Sequence, residues 1–207
     1  EVPKTKPVRD SSDAEDIRKV EAYRSGDLGA FEFLFDKYRE RVYRVAFRFV
    51  RNREDALEVT QDVFLRVHTG IGKFKTDSKF FTWLYRITVN RSIDFTRSRK
   101  SKGIKELESN ILEVAGTPPP GRSAPPDPIE LAQEKELREK LDQAVENLSE
   151  NHRTVFLLHA MENLSYKEIS QVMETSIGTV MSRLFYARKK LQEALGKIGF
   201  DRHGRKT

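Results

Sequence analysis

The sequence predicts an all-α protein, made of two small helical domains that a Pro-rich flexible linker joins. Apolar residues recur at spacings of three and four along most of the chain, and no alternating apolar-polar segment of useful length is present. Six of the 8 prolines lie in residues 116–128, "GTPPPGRSAPPDP". Because proline removes a backbone donor and fixes φ, neither a helix nor a central strand continues through such a stretch.

The composition excludes some classes of function but does not identify the function. The chain has 207 residues, 38 Lys and Arg against 32 Asp and Glu, and a formal charge of +6, which is compatible with binding a polyanion. The absence of cysteine excludes disulfides, thiolate metal sites and cysteine nucleophiles. No apolar run approaches the roughly 20 residues of a membrane helix, and no signal peptide is visible. We therefore expect a cytoplasmic protein without membrane insertion or cofactor.

The changes in pattern along the chain give the expected domain boundaries. We expect a disordered tail over 1–15, a first domain over 16–100, a linker over 101–127, a second domain over 128–196 and a C-terminal tail over 197–207. In the first domain, a helical stripe is formed by Phe31, Leu34, Phe35, Tyr38, Val42, Val45 and Phe49. A second helix carries Ala56, Val59, Val63, Phe64 and Val67, and a third runs from Ser78 or Phe81 to about Ser98.

The third helix combines aromatic and basic residues in an unusual way. Aromatic residues crowd its start, at Phe74, Phe80, Phe81, Trp83 and Tyr85, and its end is basic. The residues Arg86, Asn90, Asp94 and Arg97 are spaced to share one face. Rings to stack on, an amide and cations together suit unpaired bases and their phosphates. Each aromatic taken alone is explained more simply by packing in the core.

The second helix carries an acidic stripe. Asp55, Glu58 and Asp62 are spaced by three and four, with Gln61 and Leu65 nearby. Such a stripe is usually only solvated. In a protein that binds nucleic acid it would repel phosphates, which makes it a candidate surface for a protein partner with a basic face.

The second domain contains a helix-turn-helix pattern. Asp127-Pro128 and Ser149 are expected helix starts, and Ser165 with Glu168 forms a capping box before a short helix over about 165–174. A longer helix over 177–195 follows, and its expected inward residues are Ile177, Val180, Leu184, Ala187 and Leu191. Its other face carries Thr179, Ser182, Arg183, Tyr186, Lys189 and Lys190, with Arg188 beside it. Such a helix fits the major groove, although an ordinary solvated face gives the same pattern.

Three runs carry a resemblance to a known family. They are "GDLGAFEFLFDKYRERVYRVAFRFVRNREDALEVTQDVFLRVH", "FKTDSKFFTWLYRITVNRSIDFTRSRK" and "LSENHRTVFLLHAMENLSYKEISQVMETSIGTVMSRLFYARKKL". In this order they resemble the bacterial sigma-70 class of RNA polymerase sigma factors, in its extracytoplasmic-function (ECF) group. The resemblance covers over half the chain and implies sigma region 2 in the first domain and region 4 in the second.

The resemblance also implies partners and site residues. Core RNA polymerase would bind through its clamp helices, at Asp55, Glu58, Gln61, Asp62 and Leu65. The non-template single strand of the −10 element would be bound and opened by region 2, at Phe74, Lys75, Ser78, Phe80, Trp83, Arg86, Asn90 and Arg97. The duplex −35 element would be read by region 4, at Ser176, Thr179, Met181, Ser182, Arg183, Phe185, Tyr186, Arg188 and Lys189. An anti-sigma factor is a further expected partner.

The sequence departs from the family at three positions. Many relatives carry Lys or Arg where Met181 stands, and some carry Arg at the positions of His159 and Tyr186. We therefore expect the promoter preference to differ there, with Met181 contacting a thymine methyl or packing.

Other function classes have weaker support. The four histidines, His68, His152, His159 and His203, have no metal-ligand spacing, and phosphate-binding glycine loops are absent, so we do not expect an enzyme. An ordinary helix-turn-helix repressor or activator would account for the second domain alone. An RNA-binding protein is a third alternative, but no RNA-module motif is present. The aromatic-basic helix paired with the acidic stripe favours the sigma-factor hypothesis.

Overall fold

The computed structural model describes residues 10–75, 78–102 and 128–196. The described residues contain eight α-helices and no strand, as the sequence predicts. The helices are α1 (Asp10–Arg24), α2 (Leu28–Val50), α3 (Arg53–Gly70), α4 (Phe80–Ser101), α5 (Pro128–Glu146), α6 (Glu150–Ala160), α7 (Tyr166–Val172) and α8 (Ile177–Gly196). A 3-10 turn, Ile71–Lys73, follows α3. Helices α1–α4 belong to one compact unit, here the first lobe, and α5–α8 to another, the second lobe.

The core of the first lobe lies where α2, α3 and α4 pack on one another. The stripe predicted on α2 contributes Leu34, Tyr38, Val42, Val45 and Phe49 to this core, all of them buried. The apolar positions predicted on α3 and the inner face of α4 complete it. Burying each of these large side chains contributes about 1.5–3 kcal/mol. Asp27 and Asn52 accept hydrogen bonds from Ala30 N and Asp55 N, and so begin α2 and α3.

Helix α1 was not predicted, and it begins inside the segment that was expected to be a disordered tail. The tail was placed over 1–15, but α1 begins at Asp10. A fully buried carboxylate holds the helix to α2: Asp16 accepts from Tyr38 Oη at 2.5 Å and pairs with Lys37 Nζ at 2.5 Å. Burial, and then the bond to Asp16, raises the pKa of Tyr38 well above its usual range. Besides these polar contacts α1 buries Val20 fully, but this one position makes no apolar stripe that a periodicity argument could find.

The second lobe is built around α8, which packs on α5, α6 and α7. Val180, Leu184, Ala187 and Leu191 are buried, as predicted. Ile177 is 46% exposed, so its predicted inward position is wrong. It is the first residue of α8, where fewer side chains surround the helix.

The caps of the second lobe are partly those predicted. The Ser165–Glu168 capping box is confirmed, with Ser165 N donating to Glu168 Oε2 at 2.8 Å and Glu168 N to Ser165 Oγ at 3.3 Å. Ser149 precedes α6 as expected but makes no side-chain capping bond, because its Oγ is bonded to His152 Nδ1 at 3.0 Å. The predicted cap at Asp127, the linker beyond residue 102 and the C-terminal tail lie outside the described residues.

Candidate nucleic-acid and partner surfaces

The outer face of α4 matches the face predicted from spacing. Asn90, Asp94 and Arg97 are exposed and Arg86 is half-buried, while the opposite side of the helix packs into the core. A free amide between two guanidinium groups can hydrogen-bond a base edge and neutralise the flanking phosphates. This face is therefore the candidate single-strand surface of the first lobe.

The aromatic residues at the start of α4 form a cluster that is mostly core. The ring centroids of Phe74 and Phe80 are 5.8 Å apart, and that of Trp83 lies 5.2 Å from Phe74 and 5.8 Å from Phe80. Phe74 and Phe80 are only 3% and 1% exposed, so the expectation that both present rings to DNA is corrected: they support the cluster from beneath. Trp83 is half-buried and is the member that keeps open surface.

The segment before α4 is held in place by α1. Arg24 donates from Nε and Nη2 to the Ile71 carbonyl oxygen at 3.2 and 2.9 Å, and from Nη2 to the Phe74 carbonyl oxygen. Lys79 pairs with Asp13 of α1 at 3.0 Å. The predicted contact residues of this segment, Lys75 and Ser78, are exposed and half-buried, respectively. Helix α1 thus fixes the backbone that leads into the aromatic cluster, a role that no sequence motif indicated.

Two of the three carboxylates of the acidic stripe on α3 are paired with arginines of α4 inside the first lobe. Asp55 is buried and forms an ion pair with Arg99 of α4, which corrects its expected role on the surface. Asp62 is half-buried and accepts from Arg91 Nε at 2.7 Å. Spacing on α3 could not reveal these pairs, because both arginines come from another helix.

The remaining residues of the α3 face are open and partly apolar. Glu58, Gln61 and Leu65 are exposed, as a partner surface requires. Leu57 is also exposed, and it lies one turn before Gln61, in line with Leu65. The sequence argument missed Leu57, although its position outside the buried stripe of α3 was a usable signal. Exposed leucines in line on a helix fit a protein partner better than a polyanion.

The outer face of α8 combines apolar and basic residues. Met181, Phe185 and Tyr186 are 52%, 64% and 53% exposed, and Ser182, Arg188 and Lys189 are also exposed. Thr179 and Arg183 are half-buried. Guanidinium and ammonium groups can meet phosphates, while apolar side chains can contact thymine methyl groups in a major groove.

Three hydroxyls near the start of α8 form hydrogen bonds within the helix or at its end. Ser176 Oγ accepts from Thr179 N at 3.1 Å and lies 2.8 Å from Thr179 Oγ1, so this pair caps α8. Ser182 Oγ donates to the Thr179 carbonyl oxygen at 3.0 Å. These predicted DNA contacts therefore have local structural roles in the free chain.

The histidines of the second lobe are bonded within it. His159 Nδ1 lies 3.1 Å from the Leu164 carbonyl oxygen, and its ring centroid is 5.2 Å from that of Tyr166. His152 lies 6.3 Å from the Tyr186 ring, and burial, then Lys190 and Arg183, lowers the pKa of its imidazole. His159 thus stabilises the turn before α7, as the bond to Leu164 shows.

Two kinds of site are not found in the described part of the chain. No three His, Asp or Glu residues there are placed to hold a metal ion. None of the helices described is both long and apolar enough to cross a membrane.

Comparison with known proteins identifies both lobes. Residues 34–102 match Sigma-70 region 2 and residues 138–191 match Sigma-70, region 4. The RNA polymerase sigma-H factor of Pseudomonas aeruginosa is 34% identical over 185 residues, which cover 87% of this chain and 94% of that protein. The ECF RNA polymerase sigma-E factor of Escherichia coli K12 is 32% identical over 176 residues, covering 83% and 90%.

Solved structures share the fold. A structure of CnrH in complex with the cytosolic domain of CnrY has a TM-score of 0.64 at 22% identity, covering 91% of this chain and 99% of that one. The sigma factor RpoE of Bartonella quintana, solved with the anti-sigma factor NepR, has a TM-score of 0.58 at 22% identity, covering 80% and 96%. The matched regions, their order and the identity over most of the chain agree: the chain belongs to the sigma-70 family of RNA polymerase sigma factors, in its ECF group.

Proposed function

We propose that this chain, as a promoter-recognising initiation factor, opens DNA at the −10 element with the outer face of α4. The observation that carries the proposal is the outward placement of Arg86, Asn90 and Arg97 beside the half-exposed ring of Trp83. A base leaving the duplex needs a ring to contact and a polar group for its edge, and this surface supplies both. Lys75 directly follows Phe74, whose carbonyl oxygen Arg24 holds, and Ser78 precedes α4.

In this proposal the −35 element lies against α8. Ser182, Phe185 and Tyr186 are open to a major groove, with Met181 beside them. Arg188 and Lys189 are exposed further along the helix, where the phosphate backbone would pass, and Arg183 is half-buried on its flank. Ser176 and Thr179 contribute by capping the helix end that enters the groove.

The same proposal assigns core polymerase to α3. The partner surface consists of Leu57, Glu58, Gln61 and Leu65, with Asp62 at its edge. A mixed apolar and acidic face suits a protein partner whose surface is basic and partly apolar. Because core polymerase acts in the cytoplasm, the proposal places this chain there, without catalysis of its own. The RpoE structure with NepR supports an anti-sigma factor as a further partner.

The test is promoter-dependent transcription by core polymerase with the purified chain, followed by permanganate footprinting of the −10 region. We expect Trp83→Ala and Asn90→Ala to reduce opening about tenfold or more, since stacking on a ring is worth about 1–3 kcal/mol per base. Binding to core polymerase, measured by pull-down, is expected to stay within twofold of wild type, roughly the scatter of surface substitutions.

Glu32→Ala is the control, because Glu32 is exposed on α2, outside the surfaces assigned here. Equal losses of core binding and opening would contradict the assignment of α4. Absence of any promoter-dependent initiation would overturn the proposed function itself.

A further inference from the structure

The indole of Trp83 lies against the end of α3 and the 3-10 turn that follows it. Its ring centroid is 5.2 Å from that of Phe74, the residue directly after the turn. Gly70, the last residue of α3, also lies against the indole, since a Cβ added there would be 3.6 Å from Trp83 Cζ2. The position of the indole therefore depends on where the backbone from Gly70 to Phe74 lies. We call this stretch of backbone the indole seat.

Arg24, the last residue of α1, holds the indole seat at two points. Its Nε and Nη2 donate to the Ile71 carbonyl oxygen at 3.2 and 2.9 Å, and Nη2 also donates to the Phe74 carbonyl oxygen. The end of a helix leaves carbonyl groups without intrahelical donors, and a guanidinium can satisfy more than one of them at once. The compact ammonium of a lysine does not reproduce this fork of donors. One side chain of α1 thus fixes the backbone against which the indole packs.

A second contact of α1 leads to the backbone of Trp83. Asp13 Oδ2 lies 3.0 Å from Lys79 Nζ, and Lys79 is the N-cap residue of α4. The Lys79 carbonyl oxygen accepts a hydrogen bond from Trp83 N at 3.3 Å. Asp13 and Arg24 belong to the first and last turns of α1. The helix therefore constrains Trp83 along two routes, its backbone through Lys79 and its ring through Phe74.

We propose that Arg24 is a positioning residue for opening of the −10 element, which holds the indole of Trp83 where it can contact an unpaired base. Helix α1 makes no contact with DNA in this role, and it lies outside residues 34–102, which match Sigma-70 region 2. Displacing a contacting group by ~1 Å can cost about a hundredfold in rate, so a residue behind the indole can control opening. The inference rests on the proposed function, because it requires that Trp83 contacts the base.

The first test measures the fluorescence of the free chain. Trp83 is the one tryptophan of the 207-residue sequence, so the emission reports on its indole alone. We expect Arg24→Ala to shift the emission to longer wavelength and to increase quenching by acrylamide, because the indole seat is no longer fixed. Arg18→Ala is the matched control, since Arg18 is an exposed arginine of the same helix, and it is expected to leave both measurements unchanged.

The second test is permanganate footprinting of the −10 region with holoenzyme. We expect Arg24→Ala to reduce opening by about tenfold, the effect of losing hydrogen bonds from a charged group. Binding to core polymerase, measured by pull-down, is expected to match wild type. Combining Arg24→Ala with Trp83→Ala is expected to open DNA no worse than Trp83→Ala alone, because two residues that act through one group do not add.

A conservative variant keeps the test decisive if Arg24→Ala does not fold, which circular dichroism and a thermal melt would show. Arg24→Lys retains the cation at the end of α1 but not the fork of donors. We expect it to show the same emission shift and the same loss of opening in smaller degree. Wild-type emission and wild-type opening in Arg24→Lys, when Arg24→Ala is unfolded, would overturn the proposal.

The proposal is also overturned if Arg24→Ala folds and leaves the emission of Trp83 unchanged, since any loss of opening would then come from another role. Equal losses of core binding and opening overturn it, as do losses that add in the double variant. Asn90→Ala and Trp83→Ala are measured in parallel. A loss of opening in these two with none in Arg24→Ala rejects this inference alone, whereas no loss in either rejects the proposed function of α4.

Discussion

Met181 is a residue at which we expect this chain to depart from the family pattern, and its side chain is half exposed on the outer face of α8. A thioether beside the exposed ring of Phe185 can contact thymine methyl groups but cannot donate to the acceptors of guanine. We infer that the preference of this chain at that −35 position differs from that of relatives with a basic residue there.

We predict that Met181→Lys shifts the −35 preference of the holoenzyme toward guanine at one position while leaving the fold intact. A lysine ammonium gains the guanine O6 and N7 acceptors, a discrimination of about 1–3 kcal/mol. The measurement is a selection from a −35 library. Gln192→Lys, which adds the same charge at an exposed position later on α8, is expected to change total affinity but not base preference. An unchanged profile for Met181→Lys would show that the side chain points away from DNA.

Single residues were also where sequence reasoning failed. Spacing showed that Phe80 and Trp83 are close on one helix, but not that Phe80 lies beneath and Trp83 at the edge. It placed Asp55 on an acidic stripe, but the ion pair with Arg99 depends on how α4 crosses α3. Periodicity describes one helix at a time, whereas exposure is decided by the neighbouring helices.

Helix α1 could not be detected from apolar periodicity, yet it positions the segment that precedes α4. Its contacts with α2 include one fully buried carboxylate, Asp16, which accepts from Tyr38 and pairs with Lys37, and the ring contact of Tyr23 with Phe31. Its last residue, Arg24, holds the carbonyl groups before α4. The other helices of the first lobe were predictable, because a long apolar stripe is their main stabilising contact.

We predict that Asp16→Ala destabilises the first lobe by about 3 kcal/mol, because it leaves the buried Tyr38 hydroxyl without its partner and removes the nearer of the two carboxylates that pair with Lys37. Tyr38→Phe, which removes one hydrogen bond and keeps the ring, is expected to cost about 1 kcal/mol. Urea unfolding followed by circular dichroism measures both. Glu21→Ala is the control on the same helix, since Glu21 is exposed. If Asp16→Ala unfolded at the same urea concentration as Glu21→Ala, the carboxylate would not be what anchors α1.

At the scale of the whole molecule, the sequence predicted two helical domains because proline density interrupts an otherwise helical pattern. Each lobe has a core of its own: α2, α3 and α4 supply one, and α8 with α5, α6 and α7 supplies the other. The three helices expected to carry the surfaces are present, but α3 buries Asp55 and α4 buries Phe80, so only part of each expected face is open. Leu57 was missed, although its position outside the buried stripe of α3 could have indicated that it is exposed.

We predict that fragments 10–102 and 128–196 fold separately. Each is expected to give a helical spectrum and a cooperative melt, with the smaller second fragment less stable because a smaller domain buries a smaller fraction of its surface. Circular dichroism of the fragments, alone and mixed, makes the measurement. A fragment that is unfolded alone but helical when mixed with the other would show that its core is incomplete.

On the proposed polymerase surface of α3, the two ion pairs with α4 would affect how quickly the complex with core polymerase forms and how long it lasts. Arg99 and Arg91 already balance Asp55 and Asp62, so the outward field of α3 is weaker than its row of carboxylates suggests. Long-range attraction would therefore accelerate the encounter little, and the lifetime of the complex would depend mainly on desolvating Leu57 and Leu65. A factor bound in this way keeps its share of core polymerase when the ionic strength of the cell rises.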